Sequence, residues 1–115
     1  MNGTRRVLVI GGVSDTETVL RAVLEPRGAT VERSRSQADL SRSAMSRSPQ
    51  VVVIDLDTEL DAESAAVRWH KSQRVLIGSD LPGSISADER FLAKPFHYPE
   101  LVKVVEELLN VRPAA

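Results

Sequence analysis

Glycines, a carboxylate, a hydroxyl and an ammonium stand at the ends of short apolar runs in this chain. Gly11 and Gly12 follow "VLVI" (7–10), Asp55 follows "VVVI" (51–54), Ser79 follows "VLIG" (75–78), and Lys94 closes "FLAK" (91–94). If the runs are neighbouring strands of one sheet, these residues meet at the edge where open α/β sheets collect ligands and chemistry. Lys94 can form a structural ion pair with Asp55, and Asp55 can equally cap a turn. Gly11-Gly12 suggests a phosphate cradle, but "GGVSDTE" has neither the G-x-G-x-x-G spacing nor a G-K-[ST] ending, so nucleotide binding is not expected.

Other chemistries drop out early. The chain has no cysteine, which removes disulfides, thiolate nucleophiles and Cys-ligated zinc. His70 and His97 lack metal-ligand partner spacing and read as solvated helix-end residues. With 15 Lys+Arg against 16 Asp+Glu the net charge is −1, so no global field draws the protein to nucleic acid or to an anionic membrane. No apolar run approaches the roughly 20 residues that span a bilayer, and the N-terminal apolar stretch is too short for a secretory signal. A cytoplasmic protein is expected.

The elements that must position these residues are legible from periodicity. The 115 residues, 42% hydrophobic and 27% charged, fit a single domain over 1–115. The runs 7–10, 51–54 and 74–77 are short, β-branched and unalternating, the pattern of strands buried on both faces. Two weaker strands fit at 29–34 and 89–94. Between them "SDTETVLRAVLEPRG" opens with Ser14 and Glu17 in capping-box spacing and ends near Pro26 and Gly28, a helix with both ends marked. Amphipathic helices also fit 36–47, 60–72 and 98–111, the last with Leu101, Val104, Val105, Leu108 and Leu109 on one side. The Ser/Arg-rich stretch 33–48 reads as a solvated surface around a short helix. Strands alternating with helices predict a doubly wound α/β fold, a parallel sheet with right-handed crossovers and helices on both faces.

One connection breaks the pattern. Only "DLPGSISADER" (80–90) lies between the fourth and fifth strands. A ten-residue helix would use about 15 Å of rise and leave almost nothing for its loops, and Pro82 and Gly83 argue further against it. The fourth helix is therefore expected to be missing or reduced to a turn.

With the strand ends aligned, the sequence resembles the response-regulator receiver domain, the family of the chemotaxis response regulator, over nearly its whole length. "VVVIDLD" is similar to the strand ending in the phosphoacceptor aspartate, which is Asp55 here. "RVLIGS" sets Ser79 at the hydroxyl switch position, and "FLAKPF" sets Lys94 at the family lysine, Pro95 in a step the family holds cis, and Phe91 at the switch aromatic. The resemblance implies a flavodoxin-like sheet of five strands in the order 2-1-3-4-5 and signalling by two-component phosphorelay, with a sensor kinase or another signalling protein as partner. It also implies a divalent metal held by an acidic pair after the first strand, by the phosphoacceptor, and by the backbone carbonyl of Asp57. Phosphoryl transfer to a carboxylate needs such positive charge, since the protein contributes mainly positioning and neutralisation.

This chain departs from the pattern at the acidic pair, which aligns with Gly11 and Gly12. Glycine offers no anionic ligand to a hard cation. Each lost unit-charge contact at about 4 Å is of order 4 kcal/mol at an effective dielectric of 20. The first expectation is therefore a degenerate receiver, without metal or cofactor and not an enzyme, acting by protein interaction independently of phosphorylation. The second is a phosphoaccepting receiver with Asp55 as nucleophile and magnesium bound through a substitute carboxylate, Asp15 or Asp57. Any metal would then rest on Asp55 and Asp57. A third expectation, a small-ligand binder, has only the glycines in its favour.

Overall fold

The structure is a computed structural model that describes residues 5–11, 14–34, 49–57, 72–80, 83, 85 and 87–110. The apolar runs form five strands: β1 (Arg6–Ile10), β2 (Thr30–Ser34), β3 (Val51–Asp55), β4 (Gln73–Gly78) and β5 (Glu89–Ala93). All neighbouring pairs are parallel, and the sheet order is β2-β1-β3-β4-β5. The unalternating runs explain this arrangement. Val7 to Ile10 and Val51 to Ile54 are all buried, so each strand has two apolar faces and must lie inside the sheet with cover on both sides.

The odd-numbered strand residues Val7, Val9, Val51, Val53, Val75 and Ile77 share one cluster with the helices α1 (Ser14–Leu24) and α2 (Tyr98–Leu109). Helical spacing selects their buried faces: Thr16, Leu20 and Leu24 in α1, and Leu101, Val105, Leu108 and Leu109 in α2. Leu8, Ile10, Val52, Ile54 and Leu76 form a second cluster on the opposite face. The expected helix 36–47 and residues 60–71 of the expected helix 60–72, with Trp69 and His70, lie outside the described residues; Ser72, the last residue of that expected helix, is a bend just before β4.

Both ends of α1 fall where the sequence marks them. At the close of α1 a 3-10 turn, Glu25–Arg27, leads to Gly28 at φ 98°, whose N–H donates to the Glu25 carbonyl (3.0 Å). At its start Ser14 is the first helical residue, and the Glu17 carboxylate pairs one turn onward with Arg21 (2.8 Å). In α2 Glu100 Oε1 accepts the N–H of His97, the residue before the helix (3.0 Å), and Pro99 occupies the first turn where its missing donor costs nothing.

β4 and β5 are parallel neighbours joined by residues 79–88. The described residues of that connection form bends and a turn, and none is helical. This fits the short crossover expected from its length.

Candidate functional site

Parallel pairing carries the chemistry-bearing residues to one sheet edge. Ile10 pairs with Ile54, Asp55 with Ile77, and Gly78 with Ala93. One step beyond these pairs lie Gly11 after β1, Ser79 after β4 and Lys94 after β5, with Asp55 as the last residue of β3. The order reversal between β1 and β3 falls at this edge, where open α/β sheets form their crevice.

Asp55 stands inside a short hydrogen-bond network. Its Oδ1 accepts the backbone N–H of Asp57 (2.9 Å), closing a turn that carries the chain back over the strand end. Lys94 Nζ donates to both of its oxygens, at 3.1 and 3.0 Å. The Asp55 side chain is only 15% exposed, and Lys94 is its cationic partner.

The turn also brings in a residue whose side chain was not assigned a place by the sequence. Leu56 N–H donates to the Ile77 carbonyl (2.7 Å), laying the turn against the end of β4. Gly78 permits that approach, since a Cβ at this position would sit 3.3 Å from Leu56 Cβ. Asp57 is thereby held beside Ser79, and its Oδ2 accepts the Ser79 amide N–H (3.1 Å) and the Ser79 hydroxyl (2.8 Å). Lys94 Nζ lies 3.3 Å from the same oxygen. The Ser79 hydroxyl, with Lys94 beside it, holds the Asp57 carboxyl below the usual carboxylate range. Burial draws the Lys94 ammonium down, but its hydrogen bonds to Asp55 and Asp57 outweigh this and leave it above its ordinary value.

The remaining positions fall as follows. Gly11 is buried in a left-handed conformation (φ 73°), while Gly12 lies outside the described residues. Phe91 is half-buried against the cluster of Leu8, Ile10, Val52, Ile54 and Leu76. The Lys94–Pro95 peptide is cis. Asp15 is exposed in the first turn of α1, where it complements the helix dipole. Among the described residues no group of three or more His, Cys, Asp or Glu side chains converges, so neither Asp15 nor His97 joins Asp55 and Asp57 in such a set.

The sheet, its order and the edge site define the class: an open, flavodoxin-like parallel α/β sheet. More particularly, the chain has the fold of response-regulator receiver domains. A response regulator from Thermotoga maritima is similar over 95% of this chain and 100% of its own, with a TM-score of 0.70 at 12% identity. The receiver domain of the hybrid histidine kinase CckA matches over 91% of this chain and 99% of its own (TM-score 0.70, 16% identity). The receiver domain of a sensor histidine kinase from Pseudomonas aeruginosa, with a magnesium ion coordinated in its active-site cleft, matches over 95% and 100% (TM-score 0.67, 17% identity). No protein-family model and no curated protein matches the chain by sequence.

Proposed function

We propose that the chain is an atypical receiver domain of two-component, phosphorelay signalling: a cytoplasmic protein-interaction module, not an enzyme, whose output is independent of phosphorylation. Its partner is a signalling protein or a sensor kinase. The observation that carries this reading is Gly11, set one step beyond the Ile10–Ile54 pair at the level of Asp55 and without a carboxylate to offer. Among the described residues no helix is long and apolar enough to cross a membrane.

The donor set supports a reading without the magnesium ion that the Pseudomonas neighbour holds in its cleft. Hard divalent cations gather several oxygen ligands, several of them anionic. Here the carboxylates of Asp55 and Asp57 are both engaged by Lys94, at 3.0 and 3.3 Å, and no third acidic group joins them among the described residues. The phosphoaccepting alternative draws on the same Asp55, Ser79 and Lys94, and needs a ligand set that Gly11 and Gly12 do not supply.

Incubation with acetyl phosphate and Mg²⁺, read by intact-protein mass, tests the reading. No phosphoryl adduct is expected. A Mg²⁺-dependent adduct that disappears in Asp55→Ala overturns it and establishes the phosphoaccepting alternative.

A further inference from the structure

Three donors converge on a single oxygen, Asp57 Oδ2: the Ser79 amide at 3.1 Å, the Ser79 hydroxyl at 2.8 Å and the Lys94 ammonium at 3.3 Å. A backbone N–H, a hydroxyl and a cation aimed at one point form the kind of group that holds an oxyanion. We infer that Ser79 and Lys94 form an oxyanion cradle that the Asp57 carboxylate fills from within, so that the protein supplies its own anion where a free phosphate-like oxyanion would otherwise bind. This inference rests on the reading of the Asp55 edge as a receiver site that works without phosphorylation, and it adds how that site is kept occupied.

Tethering and charge both favour the internal anion. Asp57 is two residues from Asp55 and is held by the turn that its own N–H closes on Asp55 Oδ1 (2.9 Å), so its carboxylate meets the cradle without the association cost a free ion faces. Asp55, Asp57 and Lys94 together carry one net negative charge, which repels a second anion. Without the Asp57 carboxylate the remaining pair is neutral. The Asp57 side chain is 41% exposed, so its removal leaves the cradle open to solvent and the core intact.

The test is a titration with inorganic phosphate followed by amide chemical shifts of Ser79 and Lys94 in wild type, Asp57→Ala and the double variant Asp57→Ala, Ser79→Ala. The expected result is a saturating shift in Asp57→Ala with affinity at least about tenfold above wild type, and loss of that gain in the double variant. Equal affinity in wild type and Asp57→Ala, or no binding by either, overturns the cradle. The two readings fail separately: a Mg²⁺-dependent phosphoryl adduct on wild-type Asp55 removes phosphorylation independence, whereas phosphate binding that ignores Asp57 removes the cradle whatever the labelling result.

Discussion

The ammonium of Lys94 meets both carboxylate oxygens of Asp55, at 3.1 and 3.0 Å, although the two are 39 positions apart in the chain. The contact exists because β3, β4 and β5 are consecutive parallel strands whose ends fall in register. With Asp55 15% and Lys94 33% exposed, it is better shielded than the Arg90–Glu107 pair, whose members are 52% and 51% exposed at 3.7 Å.

That difference sets the order of two substitutions. Lys94→Met leaves a mostly buried carboxylate without its cation and is expected to lower stability by about 1–3 kcal/mol. Arg90→Ala is expected to change it by less than about 0.5 kcal/mol. Urea unfolding of both variants checks this, and equal losses would mean that the Asp55 pair contributes no more than a surface pair.

Stability should depend on Asp57 at the acid end. Its carboxyl is held below the ordinary 3.8 by the Ser79 hydroxyl and by Lys94, so the contribution is present above that value and lost as pH falls through the lower folded value. Asp57→Asn should therefore flatten the fall in urea midpoint below about pH 4. An unchanged slope would show that the Ser79 contact has no bearing on acid stability.

Lys94 acts with the opposite sign. Its ammonium is raised above the ordinary 10.5, so its contribution is complete below that pH and is lost as the solution becomes more alkaline. Wild type should lose stability more steeply above pH 10.5 than Lys94→Met, as read by circular dichroism across an alkaline urea series.

Gly11 has a backbone role besides its lack of a carboxylate. At φ 73° a side chain brings the Cβ into conflict with the following carbonyl, and Gly11→Ala is expected to cost about 1–2 kcal/mol. A neutral result in thermal unfolding would show that the turn after β1 relaxes to accept an ordinary residue.

Among the leucines and isoleucines, packing rather than hydrophobicity should decide the effect of truncation. Leu101 is fully buried in the cluster between α2 and the sheet, and Leu101→Ala is expected to cost about 2–5 kcal/mol. Ile85 is 45% exposed, and Ile85→Ala should remain within about 0.5 kcal/mol of wild type. Chemical denaturation of the two variants separates them.

Much of this was already visible in the sequence, for identifiable reasons. Unalternating β-branched runs such as "VVVI" suit a strand covered on both faces, so the parallel sheet followed from pattern alone. Residues adjoining parallel strands at their C-terminal ends share one edge, which sets Asp55, Ser79 and Lys94 together from sequence position alone. The length of residues 80–90 limited the last crossover in the same local way. The Ser14–Glu17 spacing marked the start of α1, whereas the Glu17–Arg21 ion pair (2.8 Å) is seen only in the folded helix.

What the sequence alone determined was therefore local: strand and helix character, the bound on the short connection, and the two glycines where the resemblance calls for acids. The side-chain direction of Asp57 was decided by tertiary structure. Whether it faced solvent or the site depended on the Asp55 turn, on the close approach of Leu56 to Gly78, and on Ser79 and Lys94 arriving from other strands. A carboxylate points toward donors, and here those donors are supplied by residues 22 and 37 positions away, beyond the reach of any local pattern.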